Sequence, residues 1–180
     1  MSSGNSDTPD SGAPVETMWE GRFITAKKQG RWEYVSRSRG IRAAVILAID
    51  EGHVLLVEQY RVPLGKNCIE LPAGLVGDHD DNIDEDASLA AIRELEEETG
   101  YRAGTMENCG EFYSSPGMVS ESFSLFRAHG LSKVGEGGGV DGENIIVHRI
   151  AVEELDDFID QKRAEGAAID VRLLLLFQPK

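Results

Sequence analysis

Cysteine is almost missing from this chain: Cys68 and Cys109 are the only two in 180 residues. They form no CxxC pair and show no metal-ligand spacing, which excludes a disulfide framework and a zinc site. Two reduced, mostly buried thiols in a cytoplasmic protein are expected. Basic residues are scarce as well, 18 Lys and Arg against 32 Asp and Glu, for a formal net charge of −14. A surface of that sign repels nucleic-acid backbones and anionic membranes, so neither is expected as a partner. A polyanionic small molecule would need local guanidinium groups or bound divalent cations. Long apolar runs are lacking too. The longest, Ala43 to Ile49 and Leu173 to Phe177, are far too short to span a bilayer. Residues 1–17 have neither a basic opening nor an apolar stretch, which argues against a secretory leader and reads as a disordered polar tail. His53, His79, His129 and His148 share no ligand spacing, and the glycine-rich run 133–144 carries no GK[ST], which excludes a Walker-type phosphate loop.

What is present is a succession of short strands, one clear helix, more strands and two terminal helices. Strand patterns cover Phe23 to Lys27, Trp32 to Ser36, Ala43 to Ile49 and His53 to Gln59, punctuated by turns at Gly30, Gly40 and Gly52. Asp86 to Thr99 is rich in Ala, Leu, Glu and Arg and is closed by Gly100, the signature of a helix with a glycine cap. Strand patterns return near Cys109 to Tyr113, Ser122 to Arg127 and Asn144 to Ile150, and helical ones over Val152 to Arg163 and Ile169 to Phe177. This order describes an α+β or α/β sandwich rather than a doubly wound fold. The run KVGEGGGVDGEN over 133–144, with five glycines, is expected to be a mobile loop, and long loops within compact domains tend to be functional.

The helix carries the chemistry. Glu94, Glu97 and Glu98 stand at i, i+3 and i+4 on one face, with Leu89, Ile92 and Leu95 expected to pack on a sheet from the other side. Three carboxylates on one face repel one another unless a cation sits between them; hard oxygen ligands suit Mg2+ or Mn2+. A merely solvated acidic face is the plainer alternative. A calcium loop starting at Asp78 is excluded, because Ile83 and Leu89 stand where such a loop needs Gly and Glu.

The stretch Glu85, seven residues, then Arg93-Glu94-Leu95-Glu96-Glu97-Glu98-Thr99-Gly100-Tyr101 resembles the signature box of the Nudix hydrolase family, G-x5-E-x7-R-E-U-x-E-E-x-G-U with U a bulky apolar residue. Two positions depart from it. Ten residues rather than five separate Gly74 from Glu85, and Tyr101 replaces the usual aliphatic. The resemblance implies an α/β fold, a Nudix-type α/β/α sandwich around a mixed sheet, with a small N-terminal antiparallel sheet beside it. Residues 1–17 would be the tail, 18–40 N-terminal strands for dimerisation and substrate, and 41–180 the hydrolase domain. It also implies that Glu94, Glu97 and Glu98, helped by the Ala73 carbonyl, bind Mg2+ or Mn2+, while Glu85 pairs with Arg93.

Three further stretches resemble the branch of the family that hydrolyses ADP-ribose and nucleotide sugars. Pro116 falls sixteen residues after Gly100, within Ser115-Pro116-Gly117-Met118, and places Gly117 and Met118 beside substrate. The segment EQYRVPLGKNCIELPAGL over 58–75 offers Arg61 as a pyrophosphate or ribose-phosphate contact. Trp32-Glu33-Tyr34-Val35-Ser36-Arg37 resembles the strand that supplies an adenine-stacking aromatic; Trp32 would stack, Glu33 and Arg37 would make polar contacts, and Phe23 would be the second aromatic. A homodimer with exchanged N-terminal strands is implied. The general base would be Glu143 on the glycine-rich loop, with Glu136 and Glu121 as rivals. The expected reaction is Mg2+-dependent cleavage of ADP-ribose to AMP and ribose 5-phosphate. Hydrolysis of GDP-mannose or another nucleotide sugar is the alternative within the family, and a non-catalytic nucleotide-sensing module the alternative outside it.

Overall fold

The computed structural model describes residues 9–38, 42–76, 86–140 and 142–177. Its frame is a mixed eight-stranded sheet. Strands β4 (Arg42–Asp50), β5 (His53–Arg61), β6 (Lys66–Glu70), β9 (Thr105–Tyr113), β10 (Ser122–His129) and β13 (Ala168–Ile169) run in the order β13-β6-β5-β4-β10-β9. Strand β7 (Ala73–Val76) adds to β4, and β12 (Ile146–Ala151) adds to β5. Two short strands outside this sheet, β8 (Tyr101–Arg102) and β11 (Ser132–Lys133), pair with each other. The pairs β10–β4 and β13–β6 are parallel, the rest antiparallel.

Strand β4 shows why this is a sandwich. Its side chains alternate, and both faces are apolar. Ala44, Ile46 and Ala48 join Ala90, Ala91 and Leu95 of helix α1 (Ala87–Thr99) in one core cluster. Val45 and Leu47 join Leu155 and Ile159 of helix α2 (Leu155–Ala164) in the other. The expected α/β/α architecture is therefore present, one helix on each face of the sheet.

A separate antiparallel sheet contains β1 (Val15–Glu20), β2 (Ile24–Gln29) and β3 (Trp32–Arg37). Residues 15–17, read from sequence as part of the polar tail, are the start of β1; pairing with β2 overrides their weak local signal. The small sheet is fastened to the main body through β3: Val35 N–H donates to Met118 O at 2.9 Å, and Ser120 N–H donates to Val35 O at 3.0 Å.

Other differences from the sequence reading have local causes. Helix α1 starts at Ala87 after Asp86, whose carboxylate accepts from Ser88 N–H at 2.8 Å, and ends at Gly100, whose N–H donates to Glu96 O at 2.9 Å. Leu89 does not pack; it is 62% exposed. It lies nine residues from Glu98, half a turn out of phase, and it is the Glu98 side, with Ala90, Ala91 and Leu95, that faces the sheet. The terminal segment is not an α-helix: Ala168–Ile169 pair with β6, and Val171–Phe177 wind as a tight 3-10 turn. Cys68 is buried as expected, whereas Cys109 is only half-buried.

Candidate active site

The glutamates of α1 open into a cavity of about 690 Å3. It gathers Glu94, Glu97, Glu98 and Arg93 from the helix, Ala73 and Gly74 from β7, Arg61 from β5 and Arg37 from β3. Val140 and Glu143 of the glycine-rich loop also face it. Eight of the residues singled out in the sequence thus come together. Phe23, Trp32, Glu33, Gly117 and Met118 are not among those that line it. Phe23 and Trp32 sit on the small sheet, 56% and 53% exposed, and Gly117 and Met118 are exposed in the turn that fastens β3. Glu85 and the acidic stretch 77–84 lie outside the described residues.

The three carboxylates occupy different surroundings. Glu98 is buried, at 7% exposure, and accepts a hydrogen bond from Ala73 N–H at 2.9 Å. Burial pushes its carboxyl up to about 8, and the charges of Glu94 and Glu143 push the same way against the Ala73 bond. Glu94 lies against the Cα of Gly74, where a β-carbon would meet its carboxylate and turn that side chain aside. Arg93 reaches across to the glutamate face: its Nη1 stands 2.8 Å from Glu94 Oε1 and 3.2 Å from Glu97 Oε2. Among the described residues no three acidic, histidine or cysteine side chains form a ready ligand cage. The donor chemistry nonetheless fits a hard divalent cation. The helix offers only carboxylate oxygens, one of them in a buried acid that its neighbours destabilise when ionised.

The opposite wall consists of arginines held by carboxylates. Arg37 Nε donates to Glu121 at 2.5 Å. Arg61 forks onto Glu70, Nε to Oε1 at 2.6 Å and Nη2 to Oε2 at 2.9 Å. Arg172, on the terminal 3-10 turn, forks onto Asp170 and also reaches Glu70. Four arginines face seven carboxylates around the cavity, so an anionic ligand gains a favourable field only with added cations. Glu70, Asp170 and Arg172 escaped the sequence reading. The available signal was a lone arginine inside the otherwise apolar run Val171 to Phe177.

The glycine-rich segment is the main correction. Expected as a mobile loop, it is strapped across the end of α1. Val134 and Gly135 N–H donate to Gly100 O at 2.8 and 3.1 Å, Gly138 N–H to Glu98 O at 2.9 Å, and Gly139 N–H to Glu97 O at 3.0 Å. The last carbonyls of a helix have no partner within it, and this strap supplies one. Gly137 makes the fit possible: its φ is +70°, and a β-carbon there would run into Thr99 and Glu98 backbone atoms. The strap ends at Glu143, whose Oε2 accepts from Val140 N–H at 2.9 Å.

A mixed sheet between two helices, with three glutamates presented on one helix between a strand and a strap, defines the class. The NUDIX domain family model matches residues 38–173, and the chain belongs to that family. Among particular relatives it is similar to the methanol dehydrogenase activator of Bacillus methanolicus, 39% identical over 67% of this chain and 63% of that one. It is also similar to the ADP-ribose pyrophosphatase of Bacillus subtilis, 33% identical over 69% of this chain and 65% of that one. The GDP-mannose pyrophosphatase of Cronobacter sakazakii is 37% identical over 78% of this chain and 73% of that one. The match therefore spans less than two thirds of the first two relatives. A crystal structure of an ADP compounds hydrolase superposes with a TM-score of 0.67 at 23% identity, over 91% of this chain and 89% of the other, a likeness of fold.

Proposed function

We propose that this protein hydrolyses the pyrophosphate of ADP-ribose to AMP and ribose 5-phosphate with Mg2+ or Mn2+. The observation that carries this reading is the pairing of walls in one cavity, a buried, destabilised Glu98 with Glu94 and Glu97 on one side and the guanidinium groups of Arg37 and Arg61 on the other. Glu94, Glu97, Glu98 and the Ala73 carbonyl would hold the cations. When bound, the cations neutralise the pyrophosphate and make an attached water more acidic. Arg61 and Arg37 donate to phosphate oxygens through the N–H groups their carboxylate partners leave over. Glu143, at the end of the strap, takes the proton from the attacking water.

The small sheet supports a homodimer. Val15, Met18, Trp19, Phe23 and Trp32 are all exposed on it, an apolar surface of the kind that marks protein contacts. In the dimer Trp32 and Phe23 stack on the adenine of the second protomer's substrate, with Glu33, Gly117 and Met118 completing the pocket. Two free thiols accord with a cytoplasmic setting, and no helix among the described residues is long and apolar enough to cross a membrane. Likeness to the Cronobacter enzyme favours a second reading, GDP-mannose as substrate.

The test is turnover of ADP-ribose, GDP-mannose, UDP-glucose, NADH and diadenosine polyphosphates, with Mg2+ and with EDTA. Preferred, Mg2+-dependent cleavage of ADP-ribose is the expected result. Preference for GDP-mannose keeps the chemistry and replaces the substrate; no turnover of any of them moves the chain to the nucleotide-sensing class.

A further inference from the structure

Arg172 lies far along the chain from every residue of the signature box, yet it reaches the cavity wall and is mostly buried, with 18% of its side chain exposed. Its place is fixed by backbone. Strand β13 pairs with β6, Asp170 N–H donates to Ile69 O at 3.0 Å, and Arg172 N–H donates to Asp170 Oδ1 at 2.7 Å. The guanidinium then forks onto Asp170, Nε to Oδ1 at 2.7 Å and Nη2 to Oδ2 at 2.8 Å. Nη2 is also 2.9 Å from Glu70 Oε2, the oxygen that accepts from Arg61 Nη2 at the same distance. Glu70 is thus clamped between two guanidinium groups, and its side chain is only 4% exposed.

We propose that Arg172 is a positioning residue for substrate binding, acting through Glu70 to hold Arg61 in the orientation that meets the pyrophosphate. The inference rests on the reading of Arg61 as a pyrophosphate contact. Arg61 is a long side chain, 41% exposed at the cavity, and ordering it only when substrate arrives would cost rotamer freedom. A Glu70 fixed from behind by Arg172 orders it beforehand. Arg61 binds Glu70 through Nε and Nη2, which leaves Nη1 of a planar fork directed by that clamp. A network of this kind that served only to tie the terminal segment to β6 would affect folding and leave substrate affinity to Arg61 alone.

The test is a double-mutant cycle on initial rates with ADP-ribose and Mg2+. Arg172→Met strands Asp170, so the charge-balanced pair D170N/R172M and the charge-retaining R172K are run beside it. KM is expected to rise about tenfold in R172M and D170N/R172M and about threefold in R172K, with kcat within about twofold of wild type. R61M should raise KM at least as much, and adding D170N/R172M to R61M should raise it no further. A KM that climbs tenfold again in the R61M background overturns the proposal, because Arg172 would then act without Arg61. An unchanged KM in D170N/R172M and R172K, where R61M does raise it, overturns it as well. An R61M enzyme with wild-type KM instead removes the reading of Arg61 on which the inference stands.

Discussion

Two buried glutamates on opposite faces of the sheet have opposite fates. Glu58 on the α2 side and Glu98 on the α1 side are both 7% exposed. Burial pushes both carboxyls up. At Glu58 that push is overcome: Lys162 Nζ donates to Oε2 at 2.9 Å, Asn67 Nδ2 to Oε1 at 2.8 Å, and His148 Nε2 stands 2.9 Å from Oε2, so the carboxyl settles at about 2. At Glu98 burial outweighs the Ala73 N–H and the Arg61 charge, two neighbouring acids add to it, and the carboxyl rises to about 8. Surface exposure is the same, but Glu98 lies the deeper of the two, and depth and partners together decide the charge. The satisfied site joins β5, β6, β12 and α2, whereas the unsatisfied one opens on the cavity, where a cation can do what Lys162 does on the other face.

The strongest way to break this contrast is to remove an oxygen proposed to bind the cation. Glu97→Gln is expected to lower kcat roughly a hundredfold to a thousandfold, with the melting temperature within a degree or two of wild type. Comparable turnover in purified protein would detach Glu97 from the chemistry. Lys162→Met should do the reverse: it leaves Glu58 to Asn67 and His148 and costs about 1–3 kcal/mol of stability, read as a fall in Tm, while kcat of the folded fraction persists.

Adding Mg2+ sharpens the comparison from the other side. At a hundredfold excess over Kd it should stabilise wild type by about 2.7 kcal/mol and Glu98→Gln much less, with the Glu58 cluster indifferent; equal shifts in both proteins by calorimetry would refute the assignment. The pH dependence separates the two acids as well. Glu58 ionises at about 2 in the folded protein against an ordinary 4.5, so its contribution is complete above pH 4.5 and is lost as pH falls towards 2. Glu98 keeps until about 8 a proton that the unfolded chain releases near 4.5, so cation-free protein loses stability as pH rises across that window. Melting curves in EDTA should therefore flatten on the acid side in E58Q and on the alkaline side in E98Q. The smallest effect belongs to the start of α1: Asp86→Ala removes the cap and costs about 1 kcal/mol, with KM unchanged.

Much of this was legible in the sequence because it is local. Helix α1, its glycine cap and the spacing of Glu94, Glu97 and Glu98 follow from rules that act within one or two turns. The apolar run Ala43 to Ile49 announced a strand, and its coverage on both faces is seen only in the fold. What was illegible depends on distant pairing. No local rule separates Glu98 from Glu97, adjacent residues of which one turns towards β7 and the other towards Arg93. Arg61 read only as a phosphate contact and Arg172 not at all, because Glu70, which joins them, is brought between them by strand pairing. Glycine content suggested mobility over 133–144, whereas the glycines permit an approach to helix carbonyls that side chains would prevent.

That approach has a consequence for chain length. The strap grips α1 at its far end, through the carbonyl groups of Glu97, Glu98 and Gly100, so the register of the three glutamates is set from downstream. The five residues that the sequence carries beyond the usual spacing between Gly74 and Glu85 enter the chain upstream of that grip. The face that Glu94, Glu97 and Glu98 share is therefore indexed to the helix's downstream end, the one the strap holds.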